Sequence, residues 1–538
     1  MNSTRPRLLV GALALSLTLA ACSGGGSDDA ESAAAGGSGG GAISVAVTDP
    51  AQLVPGRQTV AFDFAMAVWS SLTWVDDQGE VSMLAAESVE SDDATTWTIT
   101  LKDGWTFHDG TPVTAQSYVD SWNAVAYGPN AWENTGQLAN VVGYTDLNPA
   151  AGDPTTTEMS GLTVVDELTF TVQLVGPDGQ FPMQISQGQT GMYPMPESAF
   201  DDVEAYNRHP VGNGPFELTN DYVENETLVV AAYDDYQGPE PTVDEISFVP
   251  YADTTTAYTD VQAGNLDVVG VPAARLPQAE GDFGDRLYSF EAPGISYLGL
   301  PLWDERYSDV RVRQAISMAI DRDTINDVIY GGTFTPATAL TPAVEAGTPE
   351  GICGELCEYD PDAAKALLDE AGGFDGTIDI YYPGGIGLDE LYTAIANQLR
   401  QNLGVEAVAT PSTDWAEFYE TRLDGAVDGP FFSRWGALYP SQQNTLRALY
   451  VADGGCTNCI PYYEPEVAGL IATADAQVDA AEAADAYAAV QERIMQDFPA
   501  PPLFFETYSF VTSERIADLP TSAVGNPTYA MVTLAEGA

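Results

Sequence analysis

Trp97-Thr98-Ile99-Thr100-Leu101-Lys102-Asp103-Gly104-Trp105-Thr106-Phe107-His108-Asp109-Gly110-Thr111-Pro112-Val113-Thr114-Ala115 is the stretch on which the fold turns. Its first five residues place large apolar side chains at alternate positions with threonine between them, the period of a half-buried strand. Two Asp-Gly pairs and a proline follow, which is the chemistry of tight turns between extended pieces. The same alternation recurs on either side, at Ile43 to Val47 ahead of an Asp49-Pro50 turn, and at Leu168 to Leu174, Leu228 to Ala232 and Glu245 to Pro250. Helical spacing predicts helices at Thr59 to Leu72, Val310 to Tyr330, Pro361 to Ala371, Leu388 to Asn402 and Val478 to Asp497. The helix at 361 carries its own punctuation: Asp360 to cap, Pro361 in the first turn, Gly372-Gly373 to stop. Strands and helices mix throughout without an internal repeat, so the expected class is α/β with several lobes.

Further markers accompany this stretch in a fixed order. His209-Pro210-Val211-Gly212-Asn213-Gly214-Pro215-Phe216 is trailed by Tyr236-Gln237-Gly238 and Gln262-Ala263-Gly264-Asn265-Leu266-Asp267. Then come Asp309-Val310-Arg311-Val312-Arg313-Gln314-Ala315-Ile316, Ala319-Ile320-Asp321-Arg322 and Tyr359-Asp360-Pro361-Asp362-Ala363-Ala364-Lys365. Together, from about Ile43 to Pro502, they resemble the extracellular solute-binding proteins of the peptide/nickel family, the capture subunits of ATP-driven importers. The resemblance implies a periplasmic-binding-protein-like fold of three lobes with a hinged ligand cleft. Lobe I would comprise residues 43–79, 195–289 and 506–538, lobe II residues 80–194, and lobe III residues 290–505. Ligand contacts on both faces of such a cleft select the closed state. Read as residues alone, the markers are scaffold: loop punctuation, and ion pairs of Arg311 and Arg313 with Asp309 and Asp321.

The first residues address the compartment. Arg5 and Arg7 precede an apolar run from Leu8 to Leu19, about 12 residues where a membrane span needs roughly 20. Residues 1–21 therefore read as a signal peptide. Leu19-Ala20-Ala21-Cys22 looks like the lipobox of bacterial lipoproteins, in which Cys22 is acylated, so the protein is expected outside the cell membrane and lipid-anchored to its outer face. Residues 22–42 are rich in Gly, Ser, Ala and acid and read as a flexible tether. No later segment offers 18 consecutive apolar residues. The whole chain carries 18 basic and 79 acidic residues, a net charge of −61. Nucleic acid is excluded as a partner, because a phosphate backbone demands a basic footprint. The acid is spread along the chain, which suits a salty or alkaline medium that screens self-repulsion. The expected partners are a small-molecule or peptide ligand, the importer's permease subunits, and the membrane through the lipid alone; the chain is expected to be a monomer.

Four cysteines follow Cys22: Cys353 and Cys357 in Cys-Gly-Glu-Leu-Cys, Cys456 and Cys459 in Cys-Thr-Asn-Cys. Zinc and disulfides both suit two close pairs, and three disulfide connectivities are open. Outside the cell, disulfides are the simpler account, and local bridges 353–357 and 456–459 suit the Gly- and Asn-bearing loops. Neither a metal site nor a cofactor is expected. His108 and His209 are the only histidines, and neither has a partner at nucleophile or metal spacing. No Gly-x-Ser-x-Gly elbow, phosphate loop or His-Glu-x-x-His helix is present. Capture is therefore expected rather than catalysis, with a surface hydrolase using two carboxylates as the alternative from another class.

In the family, a segment of the type Phe431-Phe432-Ser433-Arg434-Trp435-Gly436-Ala437-Leu438-Tyr439-Pro440 lies on lobe III facing the cleft. Arg434 offers a bidentate donor for a carboxylate and Trp435 a flat stacking face; Tyr439 joins them. From the opposite face, Val54 to Thr59 would supply Gln58 and Thr59, and Trp303 is a further candidate. Peptide binders of the family carry an aspartate just before the Tyr439 position to pair with the peptide's amine; here that residue is Leu438. Either a nearby acid such as Asp414 or Glu417 takes over, or the ligand is a sugar, chelate or other organic solute without an amine. A peptide remains the preferred ligand.

Overall fold

A computed structural model describes residues 41–76, 79–452 and 454–537. The signal segment, Cys22 and most of the tether lie outside the described residues.

One sheet of eleven strands runs through the molecule. Its order is Glu406–Pro411, Thr377–Tyr382, Phe431–Gly436, Leu287–Gly299, Pro502–Thr512, Val268–Gly270, Ala42–Val47, Glu245–Pro250, Leu228–Ala232 and Phe216–Leu218, with Thr335–Pro336 pairing against Pro502–Thr512. A separate four-stranded sheet joins Ala86–Glu90, Thr96–Leu101, Thr169–Gln173 and Leu162–Val164, all antiparallel. The Trp97 stretch reads in space as it does in sequence: Trp97, Ile99 and Leu101 are buried while the threonines between them face outward.

The apolar side chains collect into distinct cores. One joins the strand at 42–47 to the four-stranded sheet and to Ile516, Leu519, Tyr529 and Val532 near the C-terminus. Two more lie between residues 295 and 505, around Leu298, Ile316, Ile380 and Leu399, and around Tyr297, Leu449, Val467 and Val490. The Leu287–Gly299 and Pro502–Thr512 strands run alongside each other between these regions. Their pairing is interrupted between Glu291 and Ile295, where Ala292-Pro293-Gly294 bulges out of register. Gly294 leaves room there for Glu506: a Cβ at 294 would sit 2.7 Å from a carboxylate oxygen of Glu506.

The sequence markers turn out to be fasteners. His108 Nδ1 accepts from the Gly212 N–H at 3.2 Å and Nε2 lies 3.1 Å from the Gly214 carbonyl, which fixes a neutral ring stitching the Phe107 turn to the Val211–Gly214 loop. Burial pushes its pKa down to about 4. Asp267 accepts from Ser44 N–H at 2.9 Å, Ser513 Oγ at 2.7 Å and Arg515 Nη1 at 2.8 Å, tying the first strand to the last segment. Gly41 and Leu534 meet beside Arg515, so the two ends of the folded body are neighbours.

Several sequence expectations are corrected. The helix expected over 59–72 covers only Phe62–Val68: Ala61 turns left-handed (φ 55°), and Asn213 takes the Ser70 N–H. The helix expected over 310–330 breaks into Val310–Met318, Arg322–Ile325 and a π-helical turn Asn326–Tyr330. Arg322 explains the break, because its buried guanidinium donates to the Ser317 and Ile320 carbonyls that helix continuation would use. The Arg311–Asp309 ion pair forms. Arg313 instead donates to the carbonyls of Tyr307, Ser308, Asp497 and Phe498, and Asp321 caps the Arg322 helix. Cys353 pairs with Cys357 and Cys456 with Cys459, with Cα separations of 5.6 and 5.5 Å.

Candidate functional site

A cavity of about 360 Å³ opens between two walls that are far apart in sequence. Gln137, Asn140, Asp178, Gln184 and Gln189 form one wall; Trp435, Leu438, Tyr439, Gln443, Asn444 and Arg447 form the other. The first wall hangs from the four-stranded sheet. The second is the end of the Phe431–Gly436 strand, the turn after it and the Gln442–Tyr450 helix, whose N-cap is Ser441. Strand alternation directs Trp435 to one side and Arg434 to the other, so two adjacent residues serve different places.

Amide side chains join the walls. Gln184 Nε2 donates to Asp178 Oδ2 and to Gln443 Oε1, both at 2.8 Å, and Gln443 Nε2 donates to Asp178 Oδ1 at 2.8 Å. Tyr439 OH donates to Gln443 Oε1 at 2.8 Å, and Gln189 Nε2 reaches the Leu438 carbonyl at 2.9 Å. Beside them the Gly179 N–H donates to the Asp475 carbonyl at 2.6 Å, and Ser441 Oγ donates to Gln180 Oε1 at 2.8 Å. The approach is tight, for a Cβ on Gly179 would lie 1.8 Å from the Gln477 carbonyl oxygen. Arg447 Nη1 meets Asp475 Oδ2 at 2.9 Å. Burial pushes the Asp475 carboxyl up to about 6, against the pull of Arg447 and the Tyr487 hydroxyl.

The residues singled out in the sequence separate into three groups. Trp435 and Tyr439 line the cavity; Trp435 Nε1 donates to Asn444 Oδ1 at 2.9 Å, an amide that also receives the Leu438 N–H. Arg434 faces away and grips Glu506 through two bonds of 2.6 and 2.5 Å at the bulge between the long strands. Gln58 is fully buried, and its amide donates to the Val60 and Ala61 carbonyls; Thr59 beside it is exposed. The Gln58 carbonyl accepts from Asn134 Nδ2 and Thr190 Oγ1, so this loop braces the first wall from behind. Trp303 lies elsewhere, its ring parallel to Phe431 with its indole N–H on the Val427 carbonyl at 2.9 Å. Asp414 and Glu417 are occupied as a helix start: Asp414 accepts the Glu417 N–H, and Glu417 accepts the Thr413 N–H. The sequence reading missed Asp178, Gln184, Gln443 and Arg447, whose types are common on any acidic surface and whose spacing carries no motif.

A second, mostly apolar cavity of about 420 Å³ lies among Trp69, Trp74, Tyr193, Tyr236 and Tyr529, with no lining residue between 290 and 505. A third, of about 270 Å³ beside Gln180, Met183, Ser441 and Tyr487, also joins both halves of the chain, and the cavity between the two walls is the one that Trp435 lines. Among the described residues no cluster of His, Cys, Asp and Glu could hold a metal ion, and no helix is long and apolar enough to cross a membrane.

Residues 80–455 match the model of bacterial extracellular solute-binding proteins, family 5. The periplasmic murein peptide-binding protein MppA of Escherichia coli is 26% identical over 473 residues, covering 85% of this chain and 86% of that protein. The periplasmic oligopeptide-binding protein OppA of Salmonella typhimurium is 27% identical over 447 residues, 80% of each. A probable deoxycholate-binding periplasmic protein of Escherichia coli, YgiS, is 25% identical over 476 residues, 85% of this chain and 86% of that protein. In fold, the chain superposes on unliganded open MppA with a TM-score of 0.78 at 22% identity, covering 92% of this chain and 96% of the other. It superposes on Haemophilus influenzae OppA in complex with RPPGFSPFR with a TM-score of 0.70 at 21% identity, covering 92% and 99%. With the family model spanning most of its length and a cleft between two walls at its centre, the chain belongs to the bacterial extracellular solute-binding proteins of family 5, and is a binding protein rather than an enzyme.

Proposed function

We propose that this protein captures an oligopeptide in the cavity between the 137–189 and 435–455 walls and hands it to the permease of an ATP-driven importer. The cavity itself carries the reading: its walls come from both halves of the chain, so a ligand touching both favours their approach. The division into three lobes, with 290–505 moving against the remainder, fits the two long strands and their bulge at Ala292-Pro293-Gly294. We place the protein on the outer face of the cell membrane as a monomer held by a lipid on Cys22. Its acidity repels an anionic bilayer, so anchoring falls to the lipid.

A non-peptide solute is the second reading, favoured by Leu438, which sets an apolar, 41% exposed side chain at the cavity wall. Native mass spectrometry of whatever co-purifies, with a thermal-shift screen of di- to pentapeptides, oligosaccharides, bile acids and metal chelates, decides between them. A true ligand at a hundredfold excess over Kd stabilises by about 2.7 kcal/mol. Measured turnover of a solute with no stabilisation by any of them overturns capture. Replacing Cys22 with Ala is expected to release folded protein into the medium; a variant that stays with washed membranes overturns the anchor.

A further inference from the structure

Charge is unevenly distributed around the cavity. Among the described residues, Asp178 and Arg447 are its only charged lining residues, and Arg447 is already engaged by Asp475 at 2.9 Å, whose side chain is 3% exposed. The site therefore holds two carboxylates against one guanidinium. Arg434, the nearest other cation in the sequence, is committed to Glu506.

Asp178 is 5% exposed, and its bonding partners are neutral. Gln180 N–H at 3.0 Å and Gln443 Nε2 at 2.8 Å meet Oδ1; Gln184 Nε2 at 2.8 Å meets Oδ2. An ionised carboxylate offers about four acceptor positions. Three are filled, and the fourth is on Oδ2. Coulomb attraction in a partly dry site is several times stronger than in bulk water, and the one guanidinium is shared by Asp178 and Asp475, so burying the second carboxylate stays costly. A ligand that brings a compact cation recovers that cost, whereas one that brings only an anion meets repulsion from the site and from the whole chain.

We infer that Asp178 is the cavity's receptor for an ammonium group of the ligand, meeting it from the wall opposite Leu438. This rests on reading the cavity as the ligand site. The ammonium suits this place because it is a compact charge with three donors: one donor goes to Asp178 Oδ2, and the Tyr439 hydroxyl oxygen is a further acceptor on the facing wall. Asp178 thereby sets specificity, admitting amine-bearing solutes and rejecting neutral analogues, and Leu438 packs against the carbon next to the amine.

The test uses a randomised tripeptide library with free N-termini and the same library acetylated, with retained peptides counted by mass spectrometry. Wild type is expected to retain the free library at least tenfold over the acetylated one. Asp178→Asn, of the same shape, is expected to narrow that preference below threefold while far-ultraviolet circular dichroism stays unchanged; one of the three accepted bonds is lost, so melting temperature is compared with that of Asp178→Glu. Asp178→Glu is expected to keep most of the preference, since the charge survives. A preference that persists in Asp178→Asn, or is absent from wild type while peptides still bind, overturns the assignment and leaves peptide capture standing. Equal loss of total binding in both variants reduces Asp178 to a holder of Gln184 and Gln443 and also overturns it. Failure of wild type to retain either library overturns the peptide reading itself.

Discussion

At Gly179 the backbone of the 475–478 segment occupies the space where a side chain would stand. The Gly179 N–H bonds to the Asp475 carbonyl, and a Cβ would fall 1.8 Å from the Gln477 carbonyl oxygen. Both are backbone atoms, so no rotamer change relieves the clash. Gly179→Ala is expected to keep the walls apart, weakening ligand affinity tenfold or more and enlarging the radius of gyration in solution scattering; unchanged affinity refutes the contact. Arg434 calls for the opposite design. The sequence marked it for a ligand carboxylate, whereas the structure gives it Glu506, a partner 72 positions away that spacing cannot reveal. Arg434→Ala strands the Glu506 carboxylate, whose side chain is 9% exposed, and is expected to cost about 1–3 kcal/mol, below the figure for a fully buried pair because Arg434 is 40% exposed. Adding Glu506→Gln is expected to recover most of the loss in urea titrations and to leave ligand affinity within threefold of wild type. If stability returns but binding does not, Arg434 holds ligand after all. Trp435 and Tyr439, singled out through the family resemblance of their segment, both line the cavity. Asp178 was one acid among 79.

Elements with a period of their own were readable from sequence, and those shaped by a distant side chain were not. The strands at Thr96–Leu101 and Leu228–Ala232 and the capped helix at Pro361–Glu370 stand within a residue or two of their expected bounds. The helix from Val310 fails at Met318 because Arg322 reaches back for its carbonyls, an interaction that helical spacing does not encode. The two disulfide loops fall between these cases, since proximity in sequence brings the sulfurs near without choosing their partners. Non-reducing peptide mapping is expected to join Cys353 to Cys357 and Cys456 to Cys459. Free thiols with stoichiometric zinc overturn that pairing. The second bridge sits next to Gly455, which lines the cavity together with Trp435, so reducing it is expected to weaken ligand binding more than reducing the first.

At the scale of the whole molecule, charge sets how stability responds to its medium. Burial pushes Asp475 up to about 6 and holds Glu345, with no exposed surface and a side-chain bond from Thr445 Oγ1, well above its ordinary range. Groups whose folded pKa is raised bind protons on folding, so stability rises as pH falls from 7 towards 5 and levels below about 4, where the unfolded chain is protonated too. Asp309, held low first by Arg311, works the other way, but only below its unfolded value. Relief of self-repulsion acts in the same direction as Asp475 and Glu345. The melting temperature is therefore expected to be a few degrees higher at pH 5.5 than at 7.5, and Glu345→Gln to flatten part of that slope. Raising salt from 0.1 to 1 M shortens the screening length from about 10 to about 3 Å and is expected to raise Tm as well. A Tm that falls with salt refutes the reading of the acid as an adaptation to the medium. The meeting of Gly41 with Leu534 beside Arg515 has another consequence. Since the ends of the folded body touch, a short peptide can splice them, and the chain can be reopened elsewhere as a circular permutant. Opened in the exposed Gly385–Gly387 turn, far in sequence from both cavity walls, such a permutant places its new ends within the 290–505 half. A fluorophore attached there, paired with one in the splice, turns wall closure into an optical signal for the solute.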